Sequence, residues 1–322
     1  MKKIFIIIFL STLTGAGYSQ IIKDTLIKKL DSLSHKADSA GKQINNTTEA
    51  AYNQQTQLTF RSYFQLLGSN LKQDFTKPFH MKKRDWVRLG VFAAATGALM
   101  FTDESIQQSA LKFRNNNPEV VKVGKFITNF GGTYEAYTLI GLGTYGFLTN
   151  HQKLKTTTLL ASQAYITGAV VESVLKFLSG RTRPNYYNPA TEARPTFKGP
   201  FGNTSRDYTG AKSNSSFPSG HATVAFAAAT VFAMEYKSTV WVPIFSYTAA
   251  TLISASRITE NKHWTTDVFV GAALGYLTGR QIVNNYHRYA KLKAPGQPKN
   301  TVTFNMQYNY GHMEPGIVYT FR

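Results

Sequence analysis

Apolar residues gather in six stretches of the chain, at about 86–102, 136–149, 157–178, 221–235, 239–255 and 268–283. Their lengths and spacing read as α-helices. Small residues recur inside them, as in "GVFAAATGALM", "ATVAFAAATVFA" and "VGAALGYLTG". Such residues let helix backbones approach closely, in a bilayer or in a tightly packed bundle. None of the six is an uninterrupted apolar span of about 20 residues, because Arg88, Glu172 and Glu235 lie in or at the edge of them. The pattern predicts an all-α fold: a bundle of about six core helices within a domain over 59–290.

The flanks differ. Lys2 and Lys3 precede an apolar stretch from Ile4 to Leu13, and Gly17 and Ser19 follow as small residues. This is the layout of a secretory signal peptide over 1–19, cut near Ser19–Gln20. A retained anchor is the alternative, though the stretch is short for a full span. Residues 20–58 are polar, with Ile22, Leu26, Leu30 and Leu33 at helical spacing, and read as a partly helical surface arm. Stretch 61–85 carries Phe64, Leu66, Leu67 and Leu71, then the basic "HMKKRDW". It suits a helix at a membrane interface with Trp86 as anchor, or a solvated helix entering the core. In the last 22 residues Val302, Phe304, Met306, Tyr308 and Tyr310 alternate along one face. With "GHMEPG" as a turn and "IVYTF" as a second strand, 296–322 predicts a β-hairpin. Two strands cannot close a membrane barrel.

Composition sharpens the picture. Hydrophobic residues make up 43% of the 322 and charged ones only 16%, so much apolar surface goes into a core or a bilayer. Thirty-six Lys and Arg against 17 Asp and Glu leave a formal +19, which points to anionic partners. No zinc-finger pattern, RNA-recognition signature or long basic run accompanies the charge, so nucleic acid is not among the expected partners. The absence of cysteine excludes disulfides, thiol nucleophiles and cysteine-ligated metals.

Three stretches concentrate cations and histidine. In "KFLSGRTRP", Lys176 lies in the last turn of a helix ending near Gly180, and Arg183 precedes Pro184 in extended chain. Taken alone, these cations could simply complement a helix dipole. In "SSFPSGHATVAF", Ser216 and Pro218 announce a helix start. Free N–H groups there, with Gly220 allowing close approach, suit a phosphate, and His221 sits in the first turn. A capped helix with a solvated histidine reads the same way. In "SRITENKHWTTD", Ser256 and Arg257 end one helix, and His263 lies four residues before Asp267, on the same helical face. A carboxylate on one ring nitrogen fixes the tautomer and leaves the other nitrogen free to act.

Together the stretches read K-x6-R-P, P-S-G-H and S-R-x5-H-x3-D, and the sequence meets all eleven specified positions. In this it resembles the type 2 phosphatidic acid phosphatase superfamily, which also holds bacterial class A acid phosphatases and vanadium haloperoxidases. The resemblance covers about 86–285 and implies a metal-free phosphatase. It implies His263 as the nucleophile that forms a phosphohistidine, oriented by Asp267, and His221 as general acid and then base. Lys176, Arg183 and Arg257 would hold the non-bridging oxygens, with Ser219 and the backbone N–H of Gly220 completing the cradle. No cofactor is implied, vanadate excepted should the chain be a haloperoxidase.

The expected substrate is a phosphorylated lipid or a small phosphate ester. The readings left open are a lipid phosphate or diphosphate phosphatase, a soluble periplasmic acid phosphatase of broad specificity, a haloperoxidase, and a non-catalytic phosphate binder. Three crossings from an exported N-terminus would put Lys176 on the cytoplasmic side, whereas the family's membrane enzymes mostly keep the site outside. The expectation is therefore an exported, periplasmic enzyme, peripheral to or partly embedded in a membrane. The 185–217 segment, rich in Tyr, Pro and Gly, is either a substrate wall or a surface loop.

Overall fold

Nine α-helices carry the described chain from Phe60 to Lys293 in the computed structural model, which describes residues 27–32, 51–52, 56–186, 193–200 and 212–293, and the backbone of 301–309 and 312–320. They are α1 (Phe60–Thr76), α2 (Lys83–Met100), α3 (Asp103–Asn116), α4 (Pro118–Thr128), α5 (Thr133–Leu148), α6 (Gln152–Ser179), α7 (Gly220–Glu235), α8 (Trp241–Thr259) and α9 (Thr265–Lys293). The six expected runs correspond to α2 and α5 to α9. The short helices α3 and α4 were not among them; they fill the stretch between α2 and α5. The expected signal peptide lies outside the described residues.

Local chemistry sets the helix ends. Thr59 caps α1: its hydroxyl accepts from the Ser62 N–H, and the Ser62 hydroxyl accepts from the Thr59 N–H. Helix α6 stops at Gly180, whose φ of +53° suits glycine and whose N–H reaches Lys176 O at 3.0 Å. A side chain at Gly180 would also run into the backbone of Gly199.

The centre of the bundle is α7 against α9. Gly271, Gly275 and Gly279 form a stripe on α9, and a Cβ on any of them would strike the α7 backbone at Ser219, Thr223 or Ala227 respectively. The stripe thus sets how closely the two axes approach. Helix α6 packs on the other side of α7 through Gly168, opposite Thr223 and Ala227. The C-terminal ends of α2, α6 and α8 and the N-terminal ends of α5, α7 and α9 meet at one end of the bundle.

Residues 20–58 were expected to form a surface arm, and the described parts do otherwise. Leu30 and Ala51 lie in the main core cluster, with Leu66, Leu160 and Tyr286. Asp31 accepts from Ser69, Lys72 and Gln73 of α1. Tyr52 donates to Glu235, which also pairs with His287 at 2.9 Å. All these contacts lie at the end of α7 away from Ser219. The apolar spacing that suggested an amphipathic helix had in Leu30 a true core residue.

The interior is polar in places. Asn70 of α1 receives a bond from Asn285 of α9 at 2.7 Å and gives one to Gln163 of α6 at 3.3 Å. Large apolar side chains stand outside: Trp86 and Val91 on α2, Ile140 on α5, Trp241 and Phe245 on α8, and Leu277 on α9. After the bundle, β1 (Thr301–Asn309) pairs antiparallel with β2 (His312–Thr320), Asn309 opposite His312. The expected turn at "GHMEPG" is therefore displaced: His312 to Gly316 lie within β2. Pro315 is tolerated because each strand of a two-stranded sheet has an open edge.

Candidate active site

Each predicted site residue is placed by a helix end. Lys176 lies in the last turn of α6 and Arg257 in the last turn of α8; Ser219, Gly220 and His221 open α7; Asp267 lies in the first turn of α9. His263 occupies the turn between α8 and α9, held by its N–H to Arg257 O at 3.3 Å. Arg183 follows α6, its N–H on Ser213 O at 2.8 Å and its guanidinium on Ser215 Oγ and O at 3.3 Å each.

The fold brings these groups into one electrostatic field. The charges of Lys176, Arg183 and Arg257 all bear on both His221 and His263. Burial, then those cations, push His221 down to about 3 and His263 well below the usual imidazole range. Both rings are therefore neutral at physiological pH.

The tautomer of His263 is set by the backbone. Its Nδ1 lies 2.8 Å from Ser216 O, a carbonyl that can only accept, so the proton sits on Nδ1. No protein atom among the described residues pairs with Nε2. The direct bond expected from Asp267 is not made: its Oδ2 is 3.6 Å from Nδ1. Asp267 instead accepts from the Ser216 hydroxyl at 2.5 Å, the Trp264 N–H at 2.9 Å and Arg181 Nη1 at 2.5 Å. Asp267 and His263 are joined through Ser216, which gives its hydroxyl to the carboxylate and its carbonyl to the ring. Burial raises the Asp267 carboxyl above the usual range, and Arg181, Ser216 and Trp264 oppose that shift.

The cradle holds donors without partners. Ser219 is fully buried, and its hydroxyl neither caps α7 nor meets any other group. Its N–H is spent on Asp267 O at 2.9 Å, which locks α7 to α9 at their first turns. The Arg257 Nε is also buried and unpartnered. A buried donor left unpaired costs about 1–3 kcal/mol, a cost that an acceptor entering the site would remove. Gly220 is required by proximity: a Cβ there would strike the Glu172 carboxylate and come within 3.1 Å of Lys176 Nζ.

Several contributors escaped the sequence reading. Glu172 holds Lys176 at 3.1 Å, and Glu260 holds Arg257 at 3.1 Å and accepts from Thr128. Both carboxylates stand one helical turn from their cations, a spacing visible in the sequence. Gly131 and Gly132, ahead of α5, lie against the His221 ring, and no local pattern announced them. Part of the 185–217 segment packs on the chain that follows α6. Thr182 N–H bonds Thr196 O at 2.9 Å, and the Phe197 ring covers the Arg181 guanidinium at 5.0 Å. Residues 187–192 and 201–211 of that segment lie outside the described residues.

With that geometry in hand, three comparisons bear on the chain. A family model described as the PAP2 superfamily matches residues 157–290. Lipid A 1-phosphatase of Porphyromonas gingivalis is 46% identical over 80 residues, or 24% of this chain. That stretch is 17% of the relative's own length, so this chain matches about a sixth of it. Among solved structures, a transmembrane PAP2-type phosphatidylglycerolphosphate phosphatase from Bacillus subtilis aligns over 61% of this chain and 91% of its own, at 22% identity and a TM-score of 0.43. LpxE of Aquifex aeolicus aligns over 55% and 92%, at 21% identity and a TM-score of 0.38. The family match spans every residue from Lys176 to Asp267, and the helical segment that builds this site is a match to the PAP2 superfamily.

Proposed function

We propose that the chain is a phosphoric ester hydrolase acting on a lipid-linked phosphate, through a phosphohistidine on His263 and without a metal. The observation that carries this is the state of His263: neutral, protonated on Nδ1 by its bond to Ser216 O, and surrounded by three cations. A neutral imidazole with a free Nε2 lone pair is a nucleophile, and the cations are what a phosphoryl group losing its leaving oxygen requires.

In this reading Nε2 attacks phosphorus while Lys176, Arg183, Arg257 and the Ser219 hydroxyl hold the non-bridging oxygens. The leaving oxygen takes a proton from His221, which then accepts one from the water that cleaves the phosphohistidine. His221 at about 3 is a neutral imidazole at neutral pH, with one N–H and no second proton. A phosphate anion among the same cations opposes their part of the shift and raises the ring's proton affinity, although burial, the larger cause, remains.

The lipid assignment rests on the surface. Apolar side chains as large as Trp241 and Phe245 stand more than half exposed while amides fill parts of the core. Helix α6 is the one described helix long and apolar enough to cross a membrane. These features support a protein partly embedded in a membrane, and the named relative acts on lipid A. The sequence leader keeps export to the periplasm as part of the proposal.

Phosphate release by the purified protein in EDTA tests it, with an aryl phosphate, phosphatidate and an isoprenoid diphosphate in parallel. Release should survive EDTA, favour a lipid, and vanish in His263→Ala while the fold is kept. Normal turnover in that variant sinks the mechanism, and preference for the aryl phosphate sinks the lipid assignment.

A further inference from the structure

Beneath the cradle lies a charged cluster in which Asp267 meets two residues, Asp103 and Arg181, that are not among the eleven specified positions. Arg181 is fully buried between two carboxylates that are themselves fully buried. Its Nη1 reaches Asp267 Oδ1 at 2.5 Å and Thr266 Oγ1 at 2.6 Å; its Nη2 reaches Asp103 Oδ2 at 2.6 Å. Asp103, the first residue of α3, also accepts from the Thr266 N–H at 3.0 Å and the Thr266 hydroxyl at 2.5 Å. Phe197, Phe217 and Trp264 surround the guanidinium at 5.0, 5.9 and 5.6 Å. Asp103 lies well before residues 157–290, outside the family match.

We infer that Asp103 and Arg181 are positioning residues for the nucleophile, acting through Asp267 and Ser216. The inference rests on the reading of His263 as nucleophile. The chain of contacts is continuous. Asp103 fixes the guanidinium on one side and the Thr266 amide on the other, so Arg181 presents Nη1 to one oxygen of Asp267. The second oxygen of Asp267 is then left to receive the Ser216 hydroxyl and the Trp264 N–H. Ser216, so fixed, aims its carbonyl at Nδ1 of His263. Removing the Asp103 charge lets the guanidinium swing and share both oxygens of Asp267. That loosens Ser216, and the ring loses the acceptor that keeps its proton on Nδ1. A misplacement of a catalytic group by about 1 Å costs about a hundredfold in rate, so so small a slip is enough to matter.

The test uses the full chain in detergent with 15N-labelled histidine. Asp103→Asn keeps the shape and removes the charge. Its kcat on the preferred phosphate ester should fall about tenfold to a hundredfold while KM stays within about twofold. The 15N shifts of His263 should move from one protonated and one bare nitrogen toward an average of the two tautomers. Thr266→Val, which removes the hydroxyl bridging Asp103 and Arg181, should shift both readouts in the same direction and carries the test if Asp103→Asn does not fold. Asp103→Asn combined with Ser216→Ala should be no slower than the worse single variant, since both cut one chain. A lowered melting temperature with kcat and ring shifts at wild-type values overturns the inference. So does a fall in kcat with unchanged ring shifts. If the wild type hydrolyses no phosphate ester, the proposed function fails, and the ring shifts still decide the positioning.

Discussion

Ser219 is the residue at which stability and function separate most cleanly. Its hydroxyl is buried and has no hydrogen-bond partner among the described residues. Ser219→Ala should therefore leave the melting temperature unchanged or slightly raised, while kcat/KM falls about tenfold to a thousandfold through loss of one donor to the phosphoryl oxygens. Thermal unfolding and steady-state kinetics on the same preparation check this; a melting temperature that drops with activity would make the hydroxyl a structural group. Asp267 should behave oppositely. It accepts three hydrogen bonds from Ser216, Trp264 and Arg181. Asp267→Asn should lower both kcat, by orders of magnitude, and stability. A near-normal rate with lowered stability would leave Asp267 a fastening of the turn alone. At this scale the sequence was readable for the cations and histidines of the candidate site, because residue type at fixed spacing announces them. It was silent on Asp103 and Arg181 as partners of Asp267, since Asp103 reaches Arg181 across 78 positions of chain.

At the scale of elements, the site depends on how tightly α7 lies on α9. Gly275 faces the backbone of Thr223 and Ala227 and the Phe226 side chain, with no room for a methyl group. Gly275→Ala should push the axes apart, destabilise the protein by about 1–3 kcal/mol, and reduce kcat more than it raises KM, because His221 rides on α7 and His263 on the turn that leads into α9. Denaturant unfolding and kinetics of the variant check it; an unchanged midpoint would mean that the helices shift without cost. The small residues of "VGAALGYLTG" signalled close packing but not its partner. The helices missed were α3 and α4. Helix α3 is polar and α4 is only 11 residues long, so neither forms an extended apolar run. Their task is to carry Asp103, Thr128 and the Gly131–Gly132 turn to the site.

At the scale of the whole molecule, two expectations follow from burial. The first concerns acid. His221 sits at about 3 in the folded protein, against about 6.5 for an unperturbed imidazole, and His263 is lowered as well. Between these values the unfolded chain protonates these rings and the folded chain does not, so the histidine contribution to stability should fall as pH drops from about 6.5 toward 3, against the opposite contribution of the raised carboxyls of Asp74 and Glu135. His221→Gln should flatten part of that slope in melting-temperature profiles, and an unchanged profile would contradict the burial of a neutral ring. The second concerns the leader. Leu30 is fully buried in the main core cluster, at the end of the bundle away from the site. Leu30→Ala should cost about 2–5 kcal/mol with kcat unchanged; a catalytic defect at full stability would place the leader in communication with the site. The sequence took this segment for a surface arm because its polar composition outweighs four apolar residues at helical spacing.

By itself the sequence determined the helical class, the six long runs, and the cations and histidines that the fold gathers together. Each of those is a local property: apolar periodicity, small-residue content, or side-chain chemistry at short spacing. The tertiary structure decided what depends on residues far apart in the chain. It set the Nδ1 proton of His263 through a carbonyl 47 positions away rather than through Asp267. It left the Ser219 hydroxyl unpaired, joined Asp103 to Arg181, and drew Leu30 into the core. Burial lowers both histidines and strengthens every pairing beneath them, and burial exists only once the helices have met.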